Sequence, residues 1–103
     1  MSPNSPVIST TIEGSVATIT MSRERSNAIE DTLIDGLMRA FQEVEAEARV
    51  SAVILRSAGK LFSPGLDLQT LSLLDRPAMT RFMERFAACV LTMYACPKPV
   101  IAA

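Results

Sequence analysis

The chain has no histidine and no tryptophan in 103 residues, only 5% aromatic residues, two cysteines and four glycines. Each scarcity excludes something. Without histidine there is no side chain whose ordinary pKa lies near neutrality, and the commonest metal ligand is missing. Ser-His and Cys-His nucleophile arrangements are therefore excluded within these residues. With 49% hydrophobic residues and so few aromatics, any core is aliphatic. Cys89 and Cys96 are seven residues apart, which on a helix is about two turns or ~10 Å. That exceeds the ~7 Å that a disulfide tolerates between Cα atoms, so two reduced thiols and a reducing compartment are expected.

The formal net charge is −1, with 10 basic and 11 acidic residues. No basic patch argues for nucleic acid, and no polybasic cluster argues for a membrane surface. No run approaches the roughly 20 apolar residues that a spanning helix needs. The start, Met-Ser-Pro-Asn-Ser-Pro, has neither the basic region nor the apolar stretch of a signal peptide. The expectation is a single small, cytoplasmic α/β domain behind a loose tail at residues 1–6.

Residues 7–12 are β-branched and threonine-rich, Glu13-Gly14 marks a turn, and residues 15–21 alternate, which predicts a hairpin. Residues 22–29 read as a polar connection. Either it is simply solvated or Arg23 or Arg25 meets a phosphate through a two-point fork. Residues 30–48 carry a helical stripe of Leu33, Ile34, Leu37, Met38, Phe41, Val44 and Ala48. Glu43, Glu45 and Glu47 do not share one face and read as solvent-facing charge. Ala52-Val53-Ile54-Leu55 is a continuous apolar run that predicts a strand covered on both faces, with the chain leaving the sheet at Arg56. Residues 77–95 form a second helix with Asp75 as a candidate cap and Pro77 in the first turn. Its apolar stripe is Met79, Phe82, Met83, Phe86, Val90, Leu91 and Tyr94. Arg81, Glu84 and Arg85 form its wet face. Cys96-Pro97-Lys98-Pro99 ends the helix, and Val100-Ile101-Ala102-Ala103 begins a further buried strand.

The chemistry-bearing stretch is residues 58–68, Ala-Gly-Lys-Leu-Phe-Ser-Pro-Gly-Leu-Asp-Leu, between the strand and a short helical run over residues 67–74. Gly59, Pro64 and Gly65 give it sharp, stiff turns. A stiff loop at a helix start leaves backbone N–H groups without partners, which suits an anionic oxygen. Asp67 suits a cap or brace better than an acid or base. Ser63 has no base to make it a nucleophile.

Leu61-Phe62-Ser63-Pro64-Gly65-Leu66-Asp67-Leu68 resembles the first oxyanion-hole loop of the crotonase family, the enoyl-CoA hydratases and isomerases. Ser26-Asn27-Ala28-Ile29 resembles that family's Asn-Ala-Leu segment, and residues 52–57 its Val-Val-Leu-x-Gly strand. Residues 97–103 resemble its Lys-Pro-Val-Ile-Ala-Ala strand. Pro64 departs from the family pattern, which has a small residue with an N–H there.

The resemblance implies a crotonase-like ββα spiral, with residues 7–103 forming its N-terminal portion. The second oxyanion donor and the proton-moving carboxylates would lie beyond it. It further implies an acyl-CoA hydratase or isomerase of fatty acid metabolism, working through a stabilised enolate, or a non-catalytic acyl-CoA-binding or interaction module. It implies no cofactor beyond the CoA of the substrate, and a homotrimer or hexamer for the complete protein. The Leu66 N–H, with Gly65 beside it, would hold the thioester oxygen. Arg25, Ser26 and Ala28, together with Ala58, Lys60, Leu61, Phe62 and Asp67, would lie along the CoA. On this resemblance Ser26 and Ala28 lie near the pantetheine, and residues 58–62 near the adenine.

Overall fold

The computed structural model describes residues 7–23 and 27–103. Four strands, β1 (Ile8–Glu13), β2 (Val16–Met21), β3 (Ala52–Ser57) and β4 (Val100–Ala102), form one sheet in the order β1-β2-β3-β4. β1 and β2 are antiparallel across a turn in which Gly14 takes φ 59°, a conformation glycine adopts without a Cβ penalty. β3 joins β2 in parallel, and β4 joins β3 in parallel. Parallel neighbours need a crossover, and helices supply both. These are α1 (Asp31–Ala46) between β2 and β3, and α3 (Arg76–Tyr94) between β3 and β4. α2 (Leu68–Leu71) is a single turn before α3.

The register sets one buried face. Ala17 pairs with Val53 and Ile19 with Leu55, and all four side chains are buried. Leu33, Ile34, Leu37, Ala40, Phe41 and Val44 of α1 close the same core. Ala40 belongs to this stripe although its small side chain does not announce it. Ala48, assigned to the stripe from its spacing, lies beyond the helix and is exposed. β3 departs from the expected strand in two ways. It continues through Arg56 and Ser57, which pair with Thr20 and Met21. Only Val53 and Leu55 are buried, while on the opposite face Ala52 and Ile54 are half-buried and Arg56 is exposed, since no helix among the described residues closes that face. β4 departs too. Val100 and Ile101 are exposed, because β4 is the sheet edge and nothing among the described residues lies over it.

α3 packs on α1 through Met79, Phe82, Phe86, Cys89 and Met93, a 3-4-3-4 spacing that defines one face. Phe82 and Phe86 stack with ring centroids 6.3 Å apart. The other residues of the expected stripe, Met83, Val90, Leu91 and Tyr94, are exposed, so the helix carries two apolar faces and buries one. Arg85 is not merely wet, since it forks to Asp31 and Asp35, one turn apart on α1. Cys89 and Cys96 are free, and burial pushes the Cys89 thiol up, which keeps it protonated.

Helix ends are satisfied locally. Glu30 caps α1 by accepting from Leu33 N–H, and Asp75 caps α3 by accepting from Ala78 N–H. At the other end of α1, Lys98 Nζ donates to the carbonyls of Val44 and Glu47, each at 2.6 Å. A half-buried cation at a helix C-terminus is worth up to about 2 kcal/mol, and here it also ties the turn before β4 to α1.

Gly36 has a packing reason. A Cβ there would stand 2.5 Å from Ile8 Cγ1 and 3.0 Å from Ile8 Cβ, so α1 meets β1 only because the side chain is missing. Gly36→Ala is expected to destabilise, since overpacking costs about 1 to 3 kcal/mol and exceeds the helix-propensity gain of about 1 kcal/mol. Urea denaturation of Gly36→Ala alone and combined with Ile8→Ala measures this, and the second substitution is expected to restore part of the loss.

Candidate functional site

Residues 58–67 form a loop from the end of β3 to the start of α2, and a second segment, residues 27–30, runs alongside it. Ile29 and Leu66 form a parallel bridge. Ile29 N–H donates to Gly65 O at 2.7 Å, and Asp67 N–H donates to Ile29 O at 2.9 Å. This alternation turns the N–H and C=O of Leu66 away from Ile29. The Leu66 N–H has no hydrogen-bond partner among the described residues. The neighbouring Gly65 N–H is occupied, donating to Ser63 Oγ at 3.2 Å. The loop therefore presents one backbone donor beside one that is satisfied.

The freedom of that donor has a different origin from the one the sequence suggests. Leu66 precedes the cap of a four-residue helix, so it is not a first-turn amide of α2. The bridge to Ile29 frees it instead. Gly65 takes φ +98°, in the region that L side chains rarely adopt, and no heavy atom lies within 4 Å of where its Cβ would be. The need for glycine at 65 is thus conformational, not steric. Gly59 has no such φ and contributes no turn of this kind.

Asn27 is the hub of the loop and is buried. Its Nδ2 donates to Ser57 Oγ at 2.9 Å and to Phe62 O at 2.8 Å, with Leu61 O at 3.5 Å. Its Oδ1 accepts from Arg23 N–H at 3.0 Å, and its carbonyl accepts from Ser63 Oγ at 2.6 Å. Ser63 is therefore a brace between the two segments. The guanidinium of Arg23 donates to Ala28 O at 2.9 Å and to Asp67 Oδ2 at 2.9 Å, and its Nε lies 3.2 Å from Glu30 Oε1. Of the two arginines considered for a phosphate, Arg23 instead spends its fork on these partners within the fold, and Arg25 lies outside the described residues.

Asp67 caps α2 through Thr70 N–H at 3.1 Å and also accepts from Thr70 Oγ1 at 2.9 Å. Those two bonds, then Arg23, hold its carboxyl below the usual 3.8. A lowered carboxylate contributes stability that is complete above the ordinary value and disappears as pH falls through the lowered one. Wild type is therefore expected to lose its advantage over Asp67→Asn as pH drops below 3.8. Denaturant titrations of both proteins from pH 7 downward check this.

The structure brings Ala28, Leu61, Phe62, Gly65, Leu66 and Asp67 together around Asn27 and Arg23. Ala58 stands at the end of β3, its N–H donating to Met21 O at 2.9 Å, and Lys60 is exposed on the loop. Arg25 and Ser26 lie outside the described residues. Among the described residues no cluster of His, Cys, Asp or Glu suits a metal, and no helix is long and apolar enough to cross a membrane. Sequence reasoning missed Asn27 and the true role of Arg23. The pairing partners are up to 44 residues apart in the chain, and the available signals were an arginine in a polar connection and the place of Asn27 in a segment resembling the family's Asn-Ala-Leu.

Residues 11–103 match the family model for enoyl-CoA hydratase/isomerase. The chain belongs to the enoyl-CoA hydratase/isomerase family. Among relatives of this family, it is 28% identical over 97 residues to a probable enoyl-CoA hydratase of Bacillus subtilis, covering 93% of this chain and 38% of that protein. It is 29% identical over 91 residues to the mitochondrial Delta(3,5)-Delta(2,4)-dienoyl-CoA isomerase of Rattus norvegicus, covering 78% of this chain and 28% of that one. The fold matches an enoyl-CoA hydratase/carnithine racemase from Magnetospirillum magneticum with TM-score 0.86 and 36% identity, over 93% of this chain and 38% of the other. It also matches an enoyl-CoA hydratase from Geobacillus kaustophilus with TM-score 0.89 at 21% identity, over 96% and 38%. The architecture is thus the N-terminal part of the crotonase fold, and the chain spans about 38% of the length of these hydratases.

Proposed function

We propose that this chain contributes half of an oxyanion hole to an acyl-CoA hydratase or isomerase, with the Leu66 N–H as donor to the thioester oxygen. The observation that carries the proposal is the unpartnered Leu66 amide, held beside a glycine at φ +98°. As a proton leaves or water adds near the thioester, charge grows on its carbonyl oxygen. A fixed backbone donor holds that charge better than the ground-state carbonyl and so lowers the barrier. Gly65 lets the backbone approach the ligand. Ala28 would lie near the pantetheine and Ala58, Lys60, Leu61 and Phe62 near the adenine, with Arg25, Ser26 and Asp67 as further candidates for contact with the CoA. CoA is then part of the substrate and no separate cofactor is invoked.

On this reading proton transfer falls to groups outside these residues. Asp67 is the carboxylate of the loop, and its bonds to Thr70 and Arg23 favour its charged, accepting form. Residues 7–103 would then act as the N-terminal portion of a larger crotonase-like domain, cytoplasmic and assembled as a homotrimer or hexamer, in the breakdown or synthesis of fatty acyl chains. The commitment of Asp67 also favours a second reading, in which the chain binds acyl-CoA or a partner without catalysis. A ¹H–¹⁵N titration of the intact natural protein tests the proposal. Acyl-CoA is expected to move the Leu66 amide downfield, and CoA alone is expected to leave it in place. Equal responses to both ligands would refute the oxyanion role.

A further inference from the structure

The guanidinium of Arg23 touches three residues, and their positions define a pattern. Ala28 and Glu30 flank Ile29, and Asp67 follows Leu66. Ile29 and Leu66 are the two members of the bridge that turns the Leu66 amide outward. Arg23 thus grips the bridge from both strands without touching either bridged residue by hydrogen bond. Its own N–H is fixed by Asn27 Oδ1, so the side chain starts from a held backbone. Its half-buried carboxylate partners make the pairs stronger than surface ion pairs, and both have other tasks. Glu30 also caps α1 through Leu33 N–H, and Asp67 also caps α2 through Thr70 N–H. One side chain therefore couples the starts of two helices to the loop between Ser63 and Asp67.

Resting on the oxyanion reading above, we propose that Arg23 is a positioning residue. It fixes the direction of the Leu66 N–H by clamping Ala28, Glu30 and Asp67 around the Ile29–Leu66 bridge. It acts through that amide and does not contact the thioester. Its effect falls on the polarisation of the carbonyl, while the grip on the CoA moiety is left to other residues. Lysine cannot replace it, since an ammonium is a point charge and cannot address three acceptors in one plane.

The test uses the intact natural protein, wild type and the variants Arg23→Met and Arg23→Lys, with a butyryl-CoA carrying ¹³C at the thioester carbonyl. The readouts are the carbonyl ¹³C shift of the bound ligand and the ratio of CoA to butyryl-CoA dissociation constants. Wild type is expected to shift the carbonyl downfield and to prefer the thioester. In both variants the downfield shift is expected to collapse, and the preference to fall by up to about tenfold, the value of one net hydrogen bond to the bound thioester, with the CoA dissociation constant held. Hydrogen exchange at Ile29 and Asp67 N–H, compared with Ile19 and Leu55 in the sheet, separates a loosened bridge from an unfolded chain. If Arg23→Met unfolds, Arg23→Lys decides. A folded variant that keeps the wild-type carbonyl shift overturns the positioning role alone. A wild type that binds butyryl-CoA with no carbonyl shift overturns the oxyanion reading, and the role of Arg23 with it.

Discussion

On the proposed oxyanion role of Leu66, Gly65→Val in the intact natural protein is expected to reduce thioester turnover by about 10²- to 10³-fold, the cost of losing one oxyanion donor. The argument is conformational. Gly65 sits at φ +98°, where a β-branched residue is strained by about 1 to 3 kcal/mol. There is open space where the Cβ would go, so a bulky side chain causes no direct clash. The strain is relieved by rotation about the backbone of residue 65, and that rotation swings the next amide, Leu66 N–H, off its target. Affinity for CoA is expected to change little, because most of the CoA contacts proposed above, at Ala28 and in residues 58–62, lie outside the Gly65–Leu66 turn. Gly65→Asn should fall between the two, since asparagine tolerates positive φ better than other non-glycine residues. Steady-state kinetics on the three proteins give the ordering. A valine variant with the wild-type rate constant would remove Leu66 from the mechanism.

Asn27→Ala is expected to be the most damaging single change to the loop's stability. The side chain is buried and joins four partners: Arg23 N–H, Ser57 Oγ, Leu61 O and Phe62 O. Alanine leaves the carbonyls and the Arg23 N–H without their partner in a space that excludes full hydration. Leaving a buried group unsatisfied costs about 1 to 3 kcal/mol, more than the net value of the bond that is lost. Asn27→Asp tests the direction of the network. The carboxylate can still accept from Arg23 N–H, but it repels the carbonyls of Leu61 and Phe62, so it should not rescue. Urea unfolding measures the loss, and hydrogen exchange in residues 61–67 shows where it falls. If Asn27→Ala is as stable as wild type, the loop is held by something other than this amide.

Much of the fold was legible because it is written in local periodicity. The alternation in residues 15–21, the stripe from Leu33 to Val44 and the apolar run at Ala52 each required only near neighbours to be read correctly. The Asp75 and Pro77 start of α3 was legible for the same reason. What was not legible depended on what lies opposite. β3 reads as doubly covered because Ala52 and Ile54 are apolar, yet among the described residues the second face is only half-buried. The apolar residues of α3 merge into one wide stripe in sequence, and only packing against α1 divides Met79, Phe82, Phe86 and Cys89 from Met83, Val90, Leu91 and Tyr94.

The candidate site follows the same rule. Gly65-Leu66-Asp67 was legible from its turn chemistry and its resemblance. The reason that Leu66 N–H is free was not, because it depends on Ile29, 37 positions earlier in the chain. In sequence Arg23 could be a solvated residue or, like Arg25, a partner for phosphate, because arginine serves a ligand and the fold with the same fork. Only the positions of Ala28, Glu30 and Asp67 decide that it serves the fold.

The central claim is that the Leu66 N–H holds the thioester oxygen, and it can be tested by removing that hydrogen alone. Replacing Leu66 with its α-hydroxy acid counterpart in the intact natural protein turns the Gly65–Leu66 amide into an ester and keeps the isobutyl side chain. The account predicts a fall in turnover of about 10²- to 10³-fold with acyl-CoA, with CoA affinity retained. A rate within a small factor of the wild type would contradict it.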